Sequence, residues 1–164
     1  MDIDFDLVLS HFTHLGVAFL LALPVAFNRE LNHKGAGLRT FPLVAIASCA
    51  FILVGIDIFD HPDAQARIMY GVIGGMGFIG GGAIVKHGGK VGGTATAAGL
   101  WNTGAIGVSV AYSRYEIALT LSLIAFLIFQ FSGVVKKPVH ERNGKQDDDA
   151  PTPSPQPAPQ AREC

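Results

Sequence analysis

The stretch from Arg67 to Trp101, RIMYGVIGGMGFIGGGAIVKHGGKVGGTATAAGLW, constrains the fold more than any other part of the chain. Two apolar segments rich in Gly, Ala and Thr flank a short basic loop, Lys86 to Lys90, and no Asp or Glu occurs between Asp63 and Glu116. Small residues recur at helical spacing, as Gly71 and Gly75, Gly77 and Gly81, and Ala95 and Gly99. In water such a helix would be poor, because each glycine costs about 0.8–1 kcal/mol relative to alanine. In a bilayer the backbone must satisfy its own hydrogen bonds, which enforces helix, and small residues let neighbouring helices approach closely. The expectation is a Gly-rich, tightly packed central hairpin inside a membrane. Gly71, Gly75, Gly77, Gly81, Ala95 and Gly99 form its packing faces, and Trp101 fills a gap left by the glycines.

One motif within this stretch is a decoy. Gly75-Met76-Gly77-Phe78-Ile79-Gly80 matches the G-x-G-x-x-G dinucleotide fingerprint. That fingerprint requires a preceding strand, a helix opening at the glycines and an acidic residue roughly 20 positions on. Here it lies inside an apolar segment with no acid downstream before Glu116.

Around this hairpin the chain reads as an all-α membrane protein. A helix crosses the hydrocarbon with about 20 mostly apolar residues. Five stretches reach or approach that length: 7–27, 41–59, 68–85, 94–112 and 117–135. Charged residues make up only 15% of the 164 residues, whereas ordinary soluble domains carry about 25%. Lys and Arg are segregated. Arg29, Lys34, Arg39, Lys86, Lys90, Lys136, Lys137, Arg142, Lys145 and Arg162 fall on one side, and only Arg67 and Arg114 on the other. The positive-inside rule places the first group in the cytoplasm, with the N-terminus outside and the C-terminus inside. The expected division is a transmembrane domain over 1–137 and a disordered, Pro-rich cytoplasmic tail over 138–164, where PTPSPQPAPQ offers no apolar surface to offset ordering entropy. Met1–Asp6 is acidic where a cleavable signal would be basic. Cys49 and Cys164 form no disulfide framework or metal motif.

Several polar residues stand out. His11 and His14 share one helix face near the outer end of the first span. Placement at the headgroup level is favoured over a metal or proton site, since no carboxylate or third His shares that span's interior; Asp2, Asp4 and Asp6 lie close in sequence and keep divalent-cation capture at the outer surface as an alternative. The first loop mixes Arg29, Glu30, Arg39 and Thr40 with Gly35 and Gly37. Simple cytoplasmic anchoring and a specific docking or pairing role fit it equally, because Arg pairs bidentately with carboxylates and glycine permits a tight turn. Arg67 opens the third span, where pairing with Asp63 one turn earlier and snorkelling to the interface explain it nearly equally well. Asn102 lies near mid-membrane, where an amide needs a partner, and an interhelical hydrogen bond is expected there.

Arg29-Glu30, Gly35 to Thr40, Arg67-Ile68, Gly74 to Gly82, Thr94 to Trp101 and Ala105 to Val108, in this order and spacing, closely resemble the MgtC/SapB family of bacterial inner-membrane proteins. The resemblance covers residues 7–135. It implies a multi-pass inner-membrane protein linked to adaptation to low magnesium and acid and to survival in host macrophages, not a characterised enzyme. The name-giving branch is associated with restraint of the proton-driven ATP synthase and carries a folded cytoplasmic domain after its last span, where this sequence reads as the Pro-rich tail.

Two functions compete. The first is a regulatory protein that binds another membrane complex through small-residue helices and basic loops. The second is a transporter or channel for a small ion such as Mg²⁺ or H⁺, for which Arg67, Asn102 and the threonines are the candidates. A membrane-embedded enzyme is disfavoured, since the spans hold no H-E-x-x-H or G-x-S-x-G arrangement. No cofactor or metal is expected. The expected partners are the lipid bilayer, another membrane complex and a second copy of the chain, and not nucleic acid.

Overall fold

The computed structural model describes residues 4–32, 35–87 and 90–147. They form five helices and one small ribbon: α1 (Phe5–Leu31), α2 (Thr40–Ile58), α3 (Pro62–Gly82), β1 (Val85–His87), β2 (Lys90–Gly92), α4 (Thr94–Ala111) and α5 (Tyr115–Asp147). Each helix matches one expected apolar stretch. Two of them, α1 and α2, are long and apolar enough to cross a membrane, and Tyr115–Phe131 is a shorter apolar helix.

Local chemistry explains the helix ends. Asp4 caps α1, its carboxylate accepting from Asp6 N at 3.0 Å and Leu7 N at 3.2 Å, which satisfies two amides that a helix start leaves unbonded. Pro62 opens α3 at a position where its missing N–H costs nothing, with Asp63 in the first turn. Gly93 precedes α4 with φ +82°, and a Cβ there would collide with the Ala83 carbonyl.

Three features differ from the sequence-based expectation. The third span, expected to reach Val85, ends as helix at Gly82, and the basic loop is an antiparallel ribbon pairing Val85 with Gly92, Lys86 with Val91 and His87 with Lys90. Valines on either side of two consecutive glycines favour such a ribbon over more helix. Secondly, α5 continues as helix to Asp147, beyond residue 138 where the tail was expected to begin. Glu141, Arg142, Lys145 and Gln146 favour helix while Pro138 and Gly144 oppose it, so propensity alone does not explain the extension, and residues 148–164, the rest of the expected tail, lie outside the described residues.

The third difference concerns the centre. The two halves of the Gly-rich hairpin are not equally placed: α4 is central, whereas in α3 only Met76 and Gly80 are buried. The α3–α4 contact runs through Gly80, where an added Cβ would lie 3.3 Å from the Ala97 carbonyl oxygen, and through Met76, which packs on Gly104. Gly71, Gly75, Gly77 and Gly81, the expected packing glycines of α3, have open space beside them within this chain, as do Gly74 and Gly82. Ala95 is exposed and Trp101 is 50% exposed, so Trp101 does not fill a gap between these helices.

The core is built on α4. One cluster joins Ala18 and Ala22 of α1, Ala45, Cys49 and Ile52 of α2, Ile106 and Val110 of α4, and Ala118 of α5. A second joins Val25, Ala26, Phe41, Val44, Met76, Leu100 and Ala125. The closest crossing is at Gly107, where a Cβ would overlap the Ala45 carbonyl and press on Ser48 and Cys49. Gly107→Val should therefore lower stability by about 1–3 kcal/mol, the usual cost of overpacking a tight contact. Gly74→Ala, with nothing beside it, should leave stability unchanged or raise it by up to about 1 kcal/mol through helix propensity. Thermal unfolding of the two variants in the same detergent checks the contrast.

Candidate functional site

The helices alternate in direction, which gathers the charged groups at two ends. One end, here the acidic end, carries Asp4, Asp6, Asp57, Asp60, Asp63 and Glu116. The other, the basic end, carries Arg29, Arg39 and Lys86.

The most constrained polar arrangement is at the basic end. Arg29, in the last turn of α1, is only 6% exposed. Its guanidinium lies over the Phe129 ring, 4.9 Å from the centroid, and its Nη2 donates to Thr96 Oγ1 in the first turn of α4. A planar cation can stack on a ring face and hydrogen-bond in its own plane at once, which Lys cannot do. Beside it, Asn28 Nδ2 donates to Gln130 Oε1 at 2.7 Å, joining α1 to α5. Asn32 Nδ2 donates to the Asn28 carbonyl at 2.6 Å. Gly99, one turn beyond Thr96, leaves the room that the Phe129 and Phe41 rings occupy: an added Cβ would lie 2.9 and 3.1 Å from them.

Glu30 is turned the other way, and its Oε2 accepts from Leu38 N at 3.1 Å. A Cβ at Gly37 would collide with that carboxylate, so Gly37 makes room for it. Gly35 takes φ +79° in the same connection. Thr40 N and Phe41 N both donate to the Gly37 carbonyl at 3.1 Å, starting α2. Adjacent residues thus do different jobs. Arg29 joins α1 to α4 and α5, while Glu30 shapes the loop to α2.

Of the residues singled out from sequence, the structure brings Arg29, Glu30 and Thr40 into this basic-end arrangement, and Arg39 stands exposed at its edge. Arg67 is at the acidic end and Asn102 is elsewhere on α4. Arg67 and Asp63 are both exposed and form no ion pair with each other; at this end Asp57 pairs instead with His11. The expected interhelical bond of Asn102 is also missing, since its Nδ2 is buried without a hydrogen-bond partner among the described residues. Sequence reasoning missed Phe129, Gln130, Asn28 and Phe41. An Asn and a Gln near the basic ends of the first and last spans were the visible signal. Phe129 and Phe41 were hidden among the chain's 11 phenylalanines.

Hydroxyls within the bundle are satisfied locally. Ser48 donates to the Val44 carbonyl, Thr103 to that of Gly99 and Ser109 to that of Ala105, each four residues back in the same helix at 2.8–2.9 Å. Ser122 is different, donating across to the Leu21 carbonyl of α1 at 2.6 Å. Among the described residues no group of three or more His, Cys, Asp or Glu could hold a metal ion.

If Arg29 is the cross-helix tie, Thr96→Val and Phe129→Leu should each destabilise the protein. The first should cost about 1–3 kcal/mol by removing an acceptor from a buried cation. A double-mutant cycle between Arg29→Met and Phe129→Leu, read by thermal unfolding, should give a coupling of about 0.5–2 kcal/mol.

Comparison with known proteins follows the same boundaries. The MgtC family model matches residues 15–138, a span that contains the whole basic-end arrangement. Protein MgtC of Salmonella typhimurium strain LT2 is 35% identical over 118 residues, covering 72% of this chain and 50% of that protein. Protein SapB of Bacillus subtilis is 30% identical over 154 residues, covering 88% of this chain and 65% of that protein. An uncharacterised protein of Synechocystis is 34% identical over 113 residues, covering 69% of this chain and 48% of that protein. The chain thus spans about half the length of the MgtC and Synechocystis relatives. No solved structure matches it.

Proposed function

We propose a function from one premise: the chain belongs to the MgtC family. On this reading it is a five-span protein of the bacterial inner membrane. Its basic end lies in the cytoplasm, and it regulates another membrane complex, or ion homeostasis, by helix–helix association. Low-magnesium and acid adaptation and virulence are the settings that the family resemblance implies.

The observation that carries this reading is the outward side of α3. Six glycines there have open space beside them, and Phe78 and Tyr70 stand among them 85% and 80% exposed. α3 is not among the helices apolar enough to cross a membrane on their own. Glycine surfaces in lipid allow backbones to approach closely, so association there is governed by packing and not by a hydrophobic drive. Large exposed apolar side chains on α1 and α2, such as Phe12 and Phe51, fit a bilayer solvent better than water.

The second reading, a small-ion transporter, is favoured by the buried, unpartnered amide of Asn102. Against it, Ser48, Thr103 and Ser109 are engaged by their own helix carbonyls, and an ion path requires polar groups turned toward it.

A photo-crosslinker placed at Phe78 in native membranes tests the association. Capture of a distinct membrane protein is the expected result, and recovery of uncrosslinked chain alone would count heavily against it. Purified protein in liposomes should pass neither Mg²⁺ nor H⁺; a flux abolished by Asn102→Leu would establish the second reading instead. Cysteines introduced near the two chain ends should label from opposite sides of the membrane.

A further inference from the structure

The acidic end of α1 is held by two histidines that respond differently to a proton. His11 Nε2 lies 3.1 Å from Asp57 Oδ2, joining α1 to the end of α2. His14 Nε2 lies 3.2 Å from Ser113 Oγ in the turn between α4 and α5. The His14 ring also lies 6.0 Å from that of Tyr115. Few other contacts anchor this end, since residues 4–10 are all exposed. Both histidines precede the segment that the family model matches.

We propose that His11 and Asp57 form a proton-operated clamp between α1 and α2, with His14 as a second, proton-tolerant tether. The difference lies in the partner of each Nε2. His14 Nδ1 faces the Ser10 carbonyl at 2.8 Å, which only accepts, so Nδ1 keeps its hydrogen in either charge state. Neutral His14 then accepts from the Ser113 hydroxyl, and protonated His14 donates to it after the hydroxyl turns. The tether survives both ways.

His11 faces a carboxylate, which when ionised only accepts. Neutral His11 in the Nε2–H tautomer gives an ordinary hydrogen bond. Protonated His11 keeps that hydrogen bond and adds the attraction of an ion pair, a modest gain for partly exposed groups. A proton on His11 therefore tightens the clamp. Both side chains are partly exposed on the chain itself, and the headgroup level expected for His11 is within reach of water. On the same helix the nearby charged groups are Asp4, Asp6 and His14. The neighbouring elements add Asp60, His61, Asp63 and Arg67 after α2, and Tyr112, Arg114, Tyr115 and Glu116 at the α4–α5 turn.

The test is a distance measurement between spin labels at Leu9→Cys on α1 and Ile58→Cys on α2. It is made in lipid nanodiscs with Cys49 and Cys164 replaced by Ala. Both labelled positions are exposed, so the labels leave the packing intact. From about pH 5 to pH 8 the ratio of separated to close populations should rise roughly two- to fivefold, the range expected for a partly exposed ion pair. Asp57→Asn, nearly the same shape, should abolish that response, as should His11→Gln, which decides the matter if the first variant does not fold. His14→Gln should raise the separated fraction at every pH and keep the response. A pH response that persists in Asp57→Asn or His11→Gln, or that is absent from the otherwise unsubstituted labelled protein, would overturn the clamp. Both sides of a nanodisc see one pH, so the result does not depend on the proposed orientation or function.

Discussion

The absence of a side chain at Gly99, Gly104 and Gly107 of α4 is the constraint on which the rest of the bundle depends. At Gly107 the helix approaches the α2 backbone so closely that a single carbon would displace the Ala45 carbonyl. At Gly104 it receives Met76 of α3, and at Gly99 it leaves room for rings from α2 and α5. Three glycines on one helix therefore admit three different neighbours. Such close approach matters most where apolar burial drives little, because lipid chains are as apolar as the side chains they would replace. Dispersion contacts and short cross-helix hydrogen bonds then have to hold the helices together.

The basic end shows how a charge is accommodated in that setting. Arg29 is buried, yet it faces a ring and a hydroxyl along two geometrically separate directions, one above the guanidinium plane and one within it. The Phe129 ring is in turn seated by Gly99 and flanked by Phe41. The Asn28–Gln130 amide pair repeats the α1–α5 link one residue away on each helix. Because Glu30 is committed to the Leu38 amide, adjacent opposite charges serve separate structural purposes.

The two ends of α1 are attached by different chemistry. At the basic end the attachments are buried or half-buried and involve groups that keep one charge state near neutrality, such as arginine and amides. At the acidic end they involve imidazoles and are partly exposed on the chain surface. Between the two, Pro24 interrupts the hydrogen-bond ladder of α1, and Ser122 of α5 donates to the Leu21 carbonyl. The proline removes a donor from the helix ladder, and a hydroxyl from α5 meets a carbonyl in the turn just before it.

How much of this was legible in advance depended on whether a feature is local. The sequence by itself determined the five helical segments, because apolar length and turn residues act over a few positions. It also determined the separation of basic from acidic ends, and it marked Arg29, Glu30, Gly35 and Gly37 as more than a linker. It did not determine which glycines make contacts. α3 and α4 carry small residues around much of their circumference, so spacing marks several possible faces and does not choose among them. Only the tertiary structure placed Gly80, Gly99, Gly104 and Gly107 against neighbours and left Gly71, Gly75, Gly77 and Gly81 open. It alone brought Arg29 to Thr96 and Phe129, and His11 to Asp57. Those meetings depend on the rotation of each helix about its own axis, which is set by packing against every neighbour at once and not by residue spacing along the chain.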